Sequence, residues 1–124
     1  MKKIDKKILV VEDGASLRNA LRNKLTREGF GVLEAKNGKI GLRVALSVHP
    51  DLILLDLIMP GMHGYEVLKR LKNDKWGRKV PILILTNFPD YPGVKEFVDD
   101  KDYLVKSDYT LEDIVKRIKK LLII

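Results

Sequence analysis

The stretch PDLILLDLIMPGM, residues 50–62, decides the fold. Four aliphatic residues, Leu52 to Leu55, stand in a row and are followed directly by Asp56. A continuous apolar run of this length is typical of a strand buried on both faces, as in a parallel sheet. A carboxylate at the end of such a strand is partly desolvated, which is costly unless it is paired or bound to a metal. The stretch therefore predicts a buried strand that ends in a functional acid.

Similar apolar runs occur elsewhere in the chain, at residues 8–11, 82–85 and 103–105. A weaker and more polar run at 32–35 is typical of an edge strand. Helical patterns lie between the runs, and Thr110 with Asp113 resembles a capping box at the start of the last one. This alternation, repeated five times, predicts an α/β fold with a parallel sheet covered by helices on both faces.

Length and composition set the broad class of the protein. The 124 residues, 45% of them hydrophobic and 33% charged, predict one globular domain over 1–124. The chain has no cysteine, which excludes disulfides, thiolate metal sites and cysteine nucleophiles. The N-terminus lacks the apolar stretch of a signal peptide, and the run after Leu52 is interrupted by Asp56. We therefore expect a cytoplasmic protein without a membrane partner.

The formal net charge is +7, from 24 basic and 17 acidic residues. The basic residues alternate with apolar positions at helical or strand spacing, which is the usual pattern of a solvated outer face. We therefore interpret the charge as a lysine-rich surface rather than as a direct nucleic-acid-binding site.

A polar residue follows each of the buried runs. Glu12 and Asp13 come after the first, Asp56 after the second, Thr86 after the third and Lys106 after the last. Taken singly, each has an ordinary explanation, such as an acidic pair beside a helix N-terminus or a lysine at the surface. The carboxyl ends of parallel strands meet at one edge of the sheet, however, and ligands of such folds bind there. The sequence therefore predicts that these five side chains converge.

The chemistry of this set favours phosphoryl transfer. Carboxylates without histidine or cysteine form a hard-oxygen site that suits Mg²⁺, with Mn²⁺ as an alternative ion. A carboxylate beside that ion can act as a nucleophile toward phosphorus. Lys106 and the Thr86 hydroxyl can then neutralise or bind the phosphoryl oxygens.

At these residues the chain resembles the response-regulator receiver domains of two-component signalling systems, of the type of the chemotaxis regulators. The resemblance covers nearly the whole chain and depends on residues 10–13, 50–62, Gly64, Thr86 and 103–106. It implies a three-layer, doubly wound, flavodoxin-like (βα)5 fold with the parallel strand order 2-1-3-4-5.

The resemblance also implies the role of each acid. Asp56 would be the phosphoacceptor, taking the phosphoryl group from a sensor histidine kinase or a phosphotransfer protein. Glu12, Asp13, Asp56 and the backbone carbonyl of Ile58 would bind the metal ion.

Further residues would respond to the phosphoryl group. Lys106 would pair with it, Thr86 would move toward it, and Tyr103 would swing inward behind Thr86. These movements would reshape the surface of the fourth helix, the fifth strand and the fifth helix. A downstream target protein or an output domain would bind there, and a second copy of the chain could form a homodimer through it.

The chain departs from the family pattern after Lys106. Ser107 stands where these domains usually have a proline joined by a cis bond, which leaves both a trans and a cis Lys106–Ser107 bond open. The stretch from Thr86 to Lys106 is short and contains Pro89, Pro92 and Gly93, leaving room for only a stub of the fourth helix.

Three residues are candidates for tuning access and hydrolysis. Asn87 stands where the family that this chain resembles usually has a small residue after the threonine, and it is expected to narrow access to the site. Ile58 and Phe88 lie at positions that, by the same resemblance, flank the phosphoryl group, and neither side chain can form a hydrogen bond with an attacking water. We therefore expect slow hydrolysis of the phosphorylated form.

Two other functions fit parts of the pattern. One is a Mg²⁺-dependent phosphohydrolase with an aspartyl nucleophile, which would be a true enzyme. The other is a basic nucleic-acid-binding module. The sequence favours a phosphorylation switch that is not an enzyme in the sense of turning over a separate substrate.

Overall fold

The computed structural model describes residues 3–124. The predicted domain, 1–124, begins with Met1 and Lys2, which lie outside the described residues. Its strands are β1 (Lys7–Val11), β2 (Gly31–Ala35), β3 (Leu52–Leu55), β4 (Ile82–Thr86) and β5 (Tyr103–Val105). They form one parallel sheet in the order β2-β1-β3-β4-β5. The predicted strand order is confirmed.

Helices cover both faces of this sheet. They are α1 (Ala15–Arg27), α2 (Gly38–Val48), α3 (Gly64–Lys72) and α4 (Leu111–Leu122). Side chains of α2 and α3 pack with one face, which includes Leu9 and Val11. Those of α1 and α4 pack with the other, which includes Ile8 and Val10. The predicted three-layer, doubly wound architecture is confirmed.

The register of the central strands places their carboxyl ends at the same level. Val11 of β1 lies opposite Leu55 of β3, and the Asp56 amide donates to the Val11 carbonyl at 3.0 Å. All four side chains of β3 are at most 2% exposed, which explains its uninterrupted apolar sequence. The acids that follow β1 and β3 therefore leave the sheet side by side.

The fourth connection contains no α-helix in the described part of the chain. Two short 3-10 turns, Val94–Glu96 and Asp100–Asp102, occupy it instead. Pro89 and Pro92 precede the first turn, and Gly93 has a φ of 86°, a conformation that favours glycine. The expectation of a stub is met, and the helix expected as the fifth is α4. We call the segment 94–102 together with β5 and α4 the β5-α4 face.

The last helix begins as its sequence predicts. The Asp113 amide donates to the Thr110 hydroxyl at 3.1 Å, and the Thr110 amide donates to the Asp113 carboxylate at 2.9 Å. This reciprocal pair is a complete capping box. Among residues 3–124, no helix has both the length and the apolar character needed to cross a membrane.

Candidate functional site

Three carboxylates meet at the carboxyl edge of the sheet. Oxygens of Glu12, Asp13 and Asp56 lie within 4.8 Å of one another. Glu12 and Asp56 are each only 4% exposed, whereas Asp13 is exposed. These carboxylates follow two neighbouring strands, and one of the three, Asp13, is open to solvent. Such a set of oxygen atoms fits a hard divalent cation that keeps part of its water shell. The structure thus brings together the acids that the sequence predicted to converge.

The Lys106 ammonium lies between two of these acids. Its Nζ is 2.9 Å from Glu12 Oε1 and 3.1 Å from Asp56 Oδ2. The bond between Lys106 and Ser107 is trans, because the described residues contain no cis peptide bond. A 3-10 turn over Lys106–Asp108 follows β5 directly. The lysine therefore reaches the acids without the proline that is usual in the family.

Burial and charge act in opposite directions at this site. Burial raises the pKa of Glu12, and hydrogen bonds from Lys106 and the Gly14 amide only partly offset the effect. Burial alone would lower the pKa of Lys106, but its bonds to Glu12 and Asp56 outweigh this, and the pKa lies above its ordinary value. The carboxylates are therefore crowded, and the site favours additional positive charge.

Thr86 and Tyr103 are both buried behind the site. Thr86 is fully buried, and its hydroxyl accepts a hydrogen bond from the Phe88 amide at 3.3 Å. The Tyr103 hydroxyl donates to the Phe88 carbonyl and accepts from the Tyr91 amide at 3.0 Å. The resemblance implies an inward swing of Tyr103 after phosphorylation, but here the ring is already inward, because backbone atoms of the loop after β4 bind its hydroxyl.

A cleft of about 370 Å³ opens over the acids. Its walls contain seven of the predicted site residues and one proline: Asp13, Asp56, Ile58, Thr86, Asn87, Phe88, Pro89 and Lys106. Ile58 and Phe88 are each 43% exposed. The Ile58 amide donates to Asp56 Oδ1 at 3.3 Å, which restrains the carboxylate from the rim of the cleft.

Two further residues support the site, and no role in it was predicted for either of them. Arg18 Nη1 donates to the carbonyls of Glu12 and Asp13, at 3.0 and 3.3 Å. Gly64, which only the resemblance singled out, lies where a Cβ atom would be 1.9 Å from the Asp56 carbonyl oxygen. Arg18 has no distinct signal in the sequence, because other arginines of the same helix occupy similar positions in the helical pattern.

Fold and site together define a class: a doubly wound α/β domain with an acid cluster and a lysine at the carboxyl edge of its parallel sheet. Residues 8–119 match the model of the response regulator receiver domain. The chain belongs to this family, the receiver domains of two-component signalling.

Several curated proteins are similar to this chain in sequence. The transcriptional regulatory protein ResD of Bacillus subtilis is 40% identical over 118 residues, which are 94% of this chain and 48% of ResD. The alkaline phosphatase synthesis transcriptional regulatory protein PhoP of the same organism is 36% identical over 123 residues, 96% of this chain and 49% of PhoP. The chain thus spans about half the length of the curated relatives it matches.

Solved structures share the fold over their whole length. The response regulator TrrA of Thermotoga maritima, in complex with Mg²⁺ and BeF, is 33% identical with a TM-score of 0.83, covering 94% of this chain and 98% of TrrA. The Vibrio cholerae chemotaxis protein CheY4 is 28% identical with a TM-score of 0.80, covering 94% of this chain and 98% of CheY4.

Proposed function

We propose that this receiver domain is a phosphorylation switch in which Asp56 accepts a phosphoryl group from the phosphohistidine of a sensor kinase or a phosphotransfer protein. One observation carries the proposal. The Lys106 ammonium contacts the buried Asp56 carboxylate at 3.1 Å, inside an acid cluster that opens into a cleft. A buried carboxylate with an ammonium at its side has a partner for the negative charge that a phosphoryl group would bring.

The acids of the cleft fit a divalent cation. Glu12, Asp13, Asp56 and the Ile58 carbonyl would hold Mg²⁺ or Mn²⁺, because three carboxylates crowded within 4.8 Å need more positive charge than one lysine supplies. Such an ion, when bound, neutralises oxygens of the transferring group. The structural relative TrrA was solved with Mg²⁺ and BeF, which supports the same use of the site in this chain.

The transfer is a simple displacement at phosphorus. An Asp56 carboxylate oxygen forms the new P–O bond while the P–N bond to the donor imidazole breaks, and the bonding pair leaves with the imidazole. The amide of Ile58 holds Asp56 Oδ1 at 3.3 Å, which restrains the carboxylate while its other oxygen, Oδ2, contacts Lys106. After transfer, Lys106 would exchange its contact with Asp56 for one with a phosphoryl oxygen.

The loop after β4 would pass the signal to the surface. The Phe88 amide and carbonyl are bound by the Thr86 hydroxyl and the Tyr103 hydroxyl. If Thr86 turns toward a phosphoryl oxygen, its bond to Phe88 is lost and the loop beside Tyr103 can rearrange. The β5-α4 face would then bind a downstream protein, an output domain or a second copy of the chain. We propose that this phosphoryl transfer and the partner binding that follows it take place in the cytoplasm.

A labelling experiment tests the proposal. The protein is incubated with phosphoramidate or acetyl phosphate and Mg²⁺, and the modified residue is located by mass spectrometry. We expect one phosphoryl group per chain on Asp56 and none in Asp56→Asn or after chelation of the metal. Continuous hydrolysis of the donor, amounting to many equivalents per chain, would instead favour a phosphohydrolase. Labelling that persists in Asp56→Asn would overturn the proposed acceptor.

The lifetime of the phosphorylated form gives a further prediction. Ile58 and Phe88 line the cleft with side chains that cannot bind an attacking water. We expect Ile58→Asn to hydrolyse roughly fivefold faster than the wild type, because one added hydrogen bond is worth about 1 kcal/mol. Loss of radiolabelled phosphate is followed over time, with Ile58→Leu as the control. Loss of the wild-type label within seconds would contradict the expectation.

A further inference from the structure

Arg18 reaches back from the first turn of α1 to the loop that carries the acidic pair. A single nitrogen, Nη1, donates to the Glu12 carbonyl at 3.0 Å and to the Asp13 carbonyl at 3.3 Å. The arginine side chain is only 18% exposed. In these contacts the arginine binds the backbone carbonyls of the two acids and not their carboxylates. It therefore acts on the backbone that sets the directions of the two side chains.

The other end of this contact is fixed to the edge strand of the sheet. Arg18 Nε lies 3.6 Å from Glu34 Oε1 of β2. The second oxygen of the same carboxylate lies 3.4 Å from Arg22 Nη1. Because β2 is paired with β1 along its whole length, the backbone that carries Glu34 is held in the sheet, and its carboxylate supports the Arg18 guanidinium from there.

The acidic pair needs such a restraint. The Glu12 amide is bound to the Ala35 carbonyl at 3.0 Å, but Asp13 is exposed, so packing does not hold it in place. Gly14 follows immediately, and α1 begins after it without a side-chain cap. The contact of Arg18 Nη1 with both carbonyls restrains the direction in which the chain leaves β1, and with it the directions of the two side chains.

We infer that Arg18 is a positioning residue for the cation site, supported by Glu34. The inference rests on the proposed role of Glu12 and Asp13 as metal ligands. Two effects of Arg18 have opposite signs, which makes the idea testable. A positive charge near the site repels a cation and weakens its binding. A restraint on the ligands strengthens it, as other supporting contacts around metal sites do.

The test measures Mn²⁺ binding to the whole domain by the electron paramagnetic resonance signal of the free ion. Removing the guanidinium in Arg18→Met is expected to weaken Mn²⁺ binding by roughly tenfold or more. The matched control is Arg22→Met, which removes an arginine from the same Glu34 carboxylate but loses no contact with the acidic pair. We expect binding by this control to stay at the wild-type level.

Two milder variants keep the test valid if Arg18→Met does not fold. Arg18→Lys retains the charge but loses the planar donor group, so we expect partial weakening. Glu34→Gln leaves Arg18 in place but removes its support, so we expect partial weakening too. Circular dichroism and chemical denaturation check that each variant is folded.

The outcomes separate the inference from the proposed function. If the wild type binds Mn²⁺ and takes the label on Asp56 while folded Arg18→Met binds as well as or better than the wild type, the positioning role is wrong and the switch stands. Equal weakening in Arg22→Met also overturns the positioning role, because the weakening then does not depend on the contact with the acidic pair. A wild type that binds no Mn²⁺ overturns both.

Discussion

Replacing Lys106 with methionine is expected to slow phosphorylation of Asp56 by about a hundredfold or more. The ammonium contacts Asp56 Oδ2 at 3.1 Å and is the basic group that lines the cleft in the described residues. Loss of one group that stabilises developing negative charge in a desolvated site typically costs about 10²–10³ in rate. The measurement is the initial rate of radiolabel incorporation from acetyl phosphate at saturating Mg²⁺.

Metal binding should respond differently to the same change. Lys106 also lies 2.9 Å from Glu12 Oε1, so the ammonium and a divalent cation compete for the same carboxylates. We therefore expect Lys106→Met to bind Mn²⁺ at least as tightly as the wild type. Lys120→Met, which changes an exposed lysine of α4, serves as the control and should leave both properties unchanged. Phosphorylation of Lys106→Met at the wild-type rate would show that the lysine has no part in the transfer.

Gly64→Ala is expected to lower the free energy of unfolding by about 3 kcal/mol or more. A Cβ atom at Gly64 would lie 1.9 Å from the Asp56 carbonyl oxygen and 2.7 Å from the Leu57 Cα. Both are backbone atoms that cannot rotate away. The Gly64 amide also donates to the Leu57 carbonyl at 3.0 Å, which ties the start of α3 to the segment after β3. The added methyl group must therefore displace either α3 or Asp56 itself.

Urea denaturation followed by circular dichroism measures this change. Gly31→Ala is the matched control, because its Cβ would meet nothing closer than the flexible Lys7 side chain at 3.4 Å. In a thermal scan followed by the same signal, we expect Gly64→Ala to lower the melting temperature by roughly 10 °C relative to that control. If the two variants unfold within 0.5 kcal/mol of each other, about the usual effect of a surface substitution, the close approach of Gly64 to Asp56 is wrong.

The convergence of the site residues was predictable because it depends on topology more than on detail. Parallel strands all end at the same edge, so the residue after each buried run must lie there. This rule alone places Asp56 and Lys106, fifty residues apart, at the same edge of the sheet, where their side chains are in contact. Side-chain packing did not need to be known for that prediction.

The finer arrangement could not be predicted in the same way. Which carboxylates Lys106 contacts depends on side-chain distances. In the structure its ammonium lies 2.9 Å from Glu12 Oε1 and 3.1 Å from Asp56 Oδ2, so it contacts both. The trans bond before Ser107 and the inward position of Tyr103 also depend on loop contacts that have no periodic sequence signal. Arg18 looks like any surface arginine until the fold brings Glu34 beside it.

By itself, the sequence determined the parallel α/β architecture, the strands that form its core and the edge at which the acids meet. These features follow from the order of buried runs and from the period of the helices, which are local properties of the chain. Only the tertiary structure decided how Lys106 bridges two acids, where the two short turns of the fourth connection lie, and which arginine holds the acidic pair. Those features depend on distances between residues far apart in the chain, and such distances are set by packing and register.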